Sequence, residues 1–146
     1  MINFFSIIAG VYVVDLLSKT LIRQNLPRGA EVALMPFFSL VHVENTGVAF
    51  GMGQGKNLIF LVLGLGVVAV LFFLGLRSIK EDRTMSYLLA LVIGGALGNL
   101  TDRLFFGRVT DFLDVYVGRY HWPAFNVADS AICIGTGLLI WRNLKK

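Results

Sequence analysis

Apolar positions gather into four long runs, at 4–22, 58–76, 85–101 and 127–142, and charge and glycine concentrate between them. A helix needs about 20 mostly apolar residues to cross the hydrocarbon core of a bilayer. The run at 58–76 contains no charged residue. The third and fourth runs are shorter, and they cross if the helix gains a turn or the bilayer thins locally. The pattern predicts a mainly α membrane protein: a four-transmembrane-helix bundle, with residues 1–146 forming a single integral membrane domain. The first run lacks a basic leader and is interrupted by Asp15 and Lys19, so it reads as a retained span rather than a cleaved signal peptide.

The connections differ in length and charge. The short loop 77–84 holds Arg77, Lys80 and Arg83, and the tail holds Arg142, Lys145 and Lys146. Outer loops 23–57 and 102–126 are longer, with sparser basic residues. The positive-inside rule therefore puts the short loop, the tail and, with an even number of spans, the N-terminus in the cytoplasm. Region 31–50 carries strand-like runs such as Phe37-Phe38-Ser39-Leu40-Val41-His42-Val43, so a small extracytoplasmic sheet or hairpin is expected there. Gly51-Met52-Gly53-Gln54-Gly55 reads as a flexible connector. Tyr116, Tyr120, Trp122 and Phe125 suit an interfacial aromatic belt.

Composition agrees. Only 15% of residues are charged and mean hydropathy is +0.75, against about 25% charged in soluble domains. The net charge of +4 is spread over the ends of apolar runs, which fits membrane topology and gives no nucleic-acid patch. Cys133 reads as a small buried residue and excludes an internal disulfide. His42 and His121 lack metal-ligand spacing, so no metal and no cofactor is expected. There is no P-loop, dinucleotide fingerprint or serine-hydrolase elbow.

Polar residues inside such a chain need a reason, because a charge at the bilayer centre is costly. Asp15 and Lys19 are four apart and share a helix face, as a neutralising ion pair or as part of a site. Gly94 and Gly98 form a small-xxx-small pair that admits a neighbouring helix. Asn99 and Arg103 continue a polar side outward, and Asp102 reads as a local charge pair. Asn45-Thr46-Gly47 reads as a turn. Asp111 follows the third run, and Asp129 opens the fourth, where it also suits a helix cap. Topology brings both to the same side at similar depth. Two convergent carboxylates that share a proton can activate water. On the residues alone, Asp114 competes with Asp111, and Asp15 and Asp102 remain candidates.

The ordered motifs Asp15-Leu-Leu-Ser-Lys19, Asn45-Thr-Gly47-Val-Ala49-Phe50, Gly94-Gly95-Ala96-Leu97-Gly98-Asn99-Leu-Thr-Asp102-Arg103, Val109-Thr-Asp111-Phe112 and Phe125-Asn126-Val-Ala128-Asp129 resemble those of the bacterial lipoprotein signal peptidase (signal peptidase II) family. Each motif alone is unspecific; five in the family's order along nearly the whole chain are not. Departures are local: Leu16 in place of a polar residue, Ser18 in place of Thr, Val48 in place of Ala.

The resemblance implies an intramembrane aspartic endopeptidase, sensitive to the cyclic peptide globomycin. Such enzymes remove the signal peptide from diacylglyceryl-modified prolipoproteins, cutting on the N-terminal side of the lipidated cysteine. It implies Asp111 and Asp129 as the catalytic dyad, with Asn45, Gly47, Asn99, Arg103, Asn126, Asp15 and Lys19 binding substrate or supporting the site. The first outer loop would form the family's cradle over the site. It further implies the bacterial cytoplasmic (inner) membrane, an active site near the outer leaflet, membrane lipids and prolipoproteins as partners, and function as a monomer. Two other readings stay open on the residues: a small transporter with a polar path through Asp15, Lys19, Asn99 and Asp129, and a non-enzymatic assembly factor.

Overall fold

The computed structural model describes residues 2–47 and 55–145. Among these residues four helices and four strands follow in the order α1 (Ile2–Asn25), β1 (Glu31–Met35), β2 (Phe38–Asn45), α2 (Asn57–Glu81), α3 (Arg83–Phe106), β3 (Val109–Val117), β4 (Tyr120–His121) and α4 (Val127–Leu144). By length and apolarity, α1, α2 and α3 each qualify to cross a membrane. Region 127–142, expected as the fourth span, is helical, but Asp129, Ser130, Thr136 and Arg142 dilute its apolar character.

Helix α3 is the central element, packed against α1, α2 and α4. Its glycines set the distances. A Cβ on Gly94 would lie 2.9 Å from both the Ile8 carbonyl oxygen and Val11 Cβ of α1. One on Gly98 would run into the Asp15 carboxylate, and one on Gly95 into the Ala128 carbonyl of α4. The small-residue face thus serves two adjacent neighbours, α1 and α4. Phe4, Leu89, Ala90 and Ile93 form the buried apolar cluster. Helix α2 instead turns Leu58, Ile59, Val62, Leu65, Val70 and Phe73 outward. Lipid tails are as apolar as leucine, so this surface is at home in a bilayer.

The eight-residue inner loop expected at 77–84 contracts to Asp82. Helix α2 runs through Glu81, and Asp82 caps α3 by accepting the Met85 N–H at 3.0 Å. The basic residues that mark the membrane boundary are helical, because helices continue past the hydrocarbon into the headgroup layer. Asp82 also pairs with Arg142 of α4, joining the ends of three helices.

The outer loops form a shared structure. Strands run in the order β1-β2-β3-β4, all antiparallel neighbours. The expected hairpin of the first loop is present, but its partner β3 comes from the second loop, with Val43 opposite Asp111 and Asn45 opposite Val109. Gly107, at φ 71°, ends α3 and turns the chain into β3. After β4 the chain returns to β3: Phe112 and Leu113 donate to the Phe125 carbonyl at 2.9 and 2.8 Å. Asn126 therefore emerges beside Asp111. Of the predicted connector only Gly55 is described; 51–54, like Val48-Ala49-Phe50, lie outside the described residues.

Candidate active site

Asp111 sits on β3, a strand held by β2 on one side and by the Phe125 bridge on the other. Its side chain is buried, with 3% of the residue exposed. Asn126 Nδ2 donates to Asp111 Oδ1 at 2.7 Å, and Asn45 Nδ2 donates to Oδ2 at 3.2 Å. Asn45 cannot swing away freely, because its Oδ1 accepts the Gly47 N–H at 2.9 Å. The expected turn is there, and the same side chain that closes it reaches the carboxylate.

Asp129 stands in the first turn of α4. Asn126 is the N-cap: its Oδ1 accepts the Asp129 N–H at 2.9 Å, while the Asp129 carboxylate accepts the Asn126 N–H at 3.3 Å. This reciprocal cap satisfies two otherwise orphaned donors. Asp129 is thus both the capping residue that its position suggested and a wall of the cavity. Its other oxygen accepts Asn99 Nδ2 at 2.7 Å. One amide, that of Asn126, links the two aspartates, giving N–H to Asp111 and accepting the backbone N–H of Asp129.

Both carboxylates line a cavity of about 920 Å³ between β2, α2, α3 and the start of α4. Asn45, Gly47, Asn99 and Arg103 line it too, and its walls are mainly apolar, with Phe60, Leu63, Val67, Ile132 and Trp122 among them. Arg103 NH2 donates to the Gly47 carbonyl at 2.5 Å, and its guanidinium lies over the Phe60 ring, 5.2 Å from the centroid. Its positive charge is felt by both aspartates. Burial, and then the negative charge of Asp129, push the Asp111 carboxyl up to about 7; the hydrogen bonds from Asn45 and Asn126 act against this rise.

Asp15 and Lys19 are fully buried behind this wall and do not line the cavity. Lys19 Nζ pairs with Asp15 Oδ2 at 2.7 Å, and Asp15 Oδ1 accepts the Ala128 N–H at 2.8 Å. A buried pair of this kind is tolerable when its remaining lone pairs are also satisfied. Asp102 is not the local charge pair expected of it. It reaches across to α1, where it meets Arg23 at 2.9 Å and Lys19 at 3.6 Å, and it accepts the Thr110 N–H at 3.0 Å. Asp114, the competitor of Asp111, is turned away to His121 at 2.8 Å. Cys133 is exposed rather than buried, and it lines the cavity one helical turn beyond Asp129. Its apolar neighbours in sequence concealed a surface that faces a cavity.

Sequence reasoning missed Asn57 and Arg23. Asn57 Nδ2 donates to the Arg103 carbonyl at 3.0 Å. Arg23 NH1 reaches Thr110 Oγ1 at 3.0 Å as well as Asp102. Asn57 carried no pattern beyond starting an apolar run, and Arg23 looked like an ordinary boundary charge.

Two solved structures, each described as a bacterial membrane enzyme, match at 29% identity. One has a TM-score of 0.93 over 99% of this chain and 89% of that chain. The other has a TM-score of 0.90 over 100% and 95%. The class is therefore that of a membrane enzyme. The family model for Signal peptidase (SPase) II matches residues 7–145. The lipoprotein signal peptidases of Burkholderia mallei (strain SAVP1) and of a Burkholderia ambifaria strain are 45% and 48% identical, each over 93% of this chain and 84% of the relative. The chain belongs to the signal peptidase II family, and it is a protease of lipoprotein processing.

Proposed function

We propose that this chain removes signal peptides from diacylglyceryl-modified prolipoproteins, cutting on the N-terminal side of the lipidated cysteine, with Asp111 and Asp129 as an aspartic dyad. The observation that carries the reading is the Asn126 amide linking both carboxylates at the wall of a largely apolar cavity. Two neighbouring carboxylates in a poorly solvated site resist double ionisation and keep one proton between them. Burial and the neighbouring charge of Asp129 raise the Asp111 carboxyl, as one proton held between the pair requires.

The ionised member takes a proton from water as the water oxygen bonds to the scissile carbonyl carbon. The protonated member donates a hydrogen bond to the carbonyl oxygen. Collapse of the tetrahedral intermediate breaks the C–N bond, and a carboxyl proton goes to the departing amine. General acid–base action of this type contributes about 10²–10⁴-fold, and positioning and electrostatics supply the rest. Asn45, Asn99 and Asn126 hold the carboxylates by hydrogen bonds, while Asn45, Asn99 and Arg103 face the cavity and offer donors to the substrate; Gly47 gives its carbonyl to Arg103.

The apolar walls suit a substrate that arrives laterally from the lipid. In this reading residues 1–146 act as one domain with α4 as the fourth span. The termini face the cytoplasm, the sheet covers the outer side, and a monomer in the bacterial inner membrane meets prolipoprotein and lipid. The test is cleavage of a diacylglyceryl-modified prolipoprotein by purified protein in detergent, beside Asp111→Asn and Asp129→Asn with thermal unfolding of each. Loss of cleavage in both folded variants is expected; a folded variant that still cleaves removes that aspartate from the dyad.

A further inference from the structure

The geometry assigns Lys19 as a positioning residue that fixes which way the Asn99 side-chain amide points, and so aims the Asn99 N–H at Asp129. This inference rests on the dyad reading and deepens it. Lys19 Nζ meets Asn99 Oδ1 at 2.8 Å, and Asn99 Nδ2 donates to Asp129 Oδ1 at 2.7 Å. An amide has two orientations, related by a flip about its last bond. An ammonium only donates, and a carboxylate only accepts. In the observed orientation each end of Asn99 meets its complement. In the flipped one, N–H would face ammonium and oxygen would face carboxylate, two mismatches at once, the first against a fully buried cation.

Lys19 is itself immobilised. Its Nζ donates to Asn99 Oδ1 at 2.8 Å and forms ion pairs with Asp15 Oδ2 at 2.7 Å and Asp102 Oδ2 at 3.6 Å. Asp102 is tied to Arg23 and to the Thr110 N–H, next to Asp111. Asp15 is tied to the Ala128 N–H, next to Asp129. Asn126 Nδ2 adds a second donor to Asn99 Oδ1 at 3.2 Å. A lysine that served only to neutralise Asp15 would have no use for the Asn99 oxygen. Here the cation on α1 sets the polarity of a hydrogen bond between α3 and α4.

The test is a mutant cycle on prolipoprotein cleavage by the full chain in detergent. Removing Lys19 alone would strand buried carboxylates, so the pair is removed whole as D15N/K19M, which interiors tolerate better than a broken pair. Its partners in the cycle are N99A and the triple variant D15N/K19M/N99A. Each arm is expected to lower kcat about a hundred-fold with KM unchanged, as misplacement of a reacting group does. Because both act through one hydrogen bond, the triple variant should fall no further than N99A. Losses that multiply to about ten-thousand-fold overturn the assignment, because they mean that Lys19 acts by another route.

Should D15N/K19M fail to fold, N99D decides. It keeps an acceptor for Lys19 but offers Asp129 no donor. A kcat as low as that of N99A, at undiminished thermal stability, upholds the assignment, and a wild-type kcat overturns it. D111N and D129N run alongside. Activity in either one sinks the dyad reading itself, whereas two dead dyad variants with multiplying losses sink only the role of Lys19.

Discussion

Replacing Asp111 by Asn should destroy activity and yet make the protein more stable above neutral pH. The folded carboxyl is raised from 3.8 to about 7, first by burial and then by Asp129. Between those values the folded state binds a proton that the unfolded chain has already released. Stability therefore falls as pH rises through about 4 to 7 and levels off above. A carboxyl raised from 3.8 to about 7 corresponds to up to about 4 kcal/mol. The Asn side chain does not titrate, so the variant is spared this loss. It bears a smaller, constant one. Its Oδ1 can still accept from Asn126, but its N–H₂ then faces the Asn45 amide, which held the carboxylate at 3.2 Å and is itself fixed by the Gly47 N–H. Donor against donor in a buried position costs about 1–2 kcal/mol.

The two contributions have opposite signs and different pH dependence, so the stability curves should cross. Near pH 4, Asp111→Asn should be less stable than wild type by about 1–2 kcal/mol; near pH 8 it should be more stable by about 2–3 kcal/mol. At about 3 °C per kcal/mol for a chain of this size, Tm differences of several degrees with opposite sign are expected at the two ends. The assay is thermal unfolding in one detergent from pH 4 to 8, with wild type and variant side by side. Curves that run parallel over that range would refute the reasoning, since the Asp111 carboxyl would then titrate alike in the folded and unfolded chains.

Other substitutions probe the same frame. Asn126→Ala removes both the α4 cap and the link between the aspartates; a loss of about 1–2 kcal/mol in thermal unfolding should accompany a fall in kcat greater than that loss explains. Gly98→Ala drives a methyl into the Asp15 carboxylate; overpacking should cost about 1–3 kcal/mol, measured by unfolding, whereas Gly66→Ala, with open space around it, should be neutral. Arg103→Lys keeps the charge but loses the planar fork that spans the Gly47 carbonyl and Asn57, so kcat/KM should drop about ten-fold or more in the cleavage assay. Cys133 lines the cavity, so a small thiol reagent should label it and block cleavage, and Cys133→Ser should be resistant.

The helices were legible because lipid imposes a long apolar run on any chain that crosses it. Their ends were not, since Arg77, Ser78, Lys80 and Glu81 are polar yet helical and a hydropathy boundary marks where the hydrocarbon stops rather than where the helix does. The first-loop hairpin could be read from alternating residues, but its partner β3 could not. Pairing Val43 with Asp111 joins residues separated by two helices, and no local pattern encodes it. Asp102 was misread for the same reason. Its nearest cation in sequence is Arg103, and its partners in space are Arg23 and Lys19.

The same contrast accounts for how the site is assembled. Asp129 lies on a helix whose first turn is written locally, by Asn126 and Asp129 capping each other three residues apart. Asp111 lies on a strand whose place depends on β2 and on the return of the chain at Phe125. Asn126 belongs to both, as the cap of one element and the hydrogen-bond donor to the other. A slip of β3 by one residue would turn Asp111 to the opposite face of the sheet and leave the Asn126 amide without its acceptor. The register of the outer sheet and the start of α4 are therefore coupled through a single side chain. Behind it, Asp15, Lys19 and Asp102 tie α1 to both sides of that junction, at the Ala128 and Thr110 N–H groups. Polar groups that a bilayer would otherwise penalise are in this way used to align two elements that no apolar contact could register so closely.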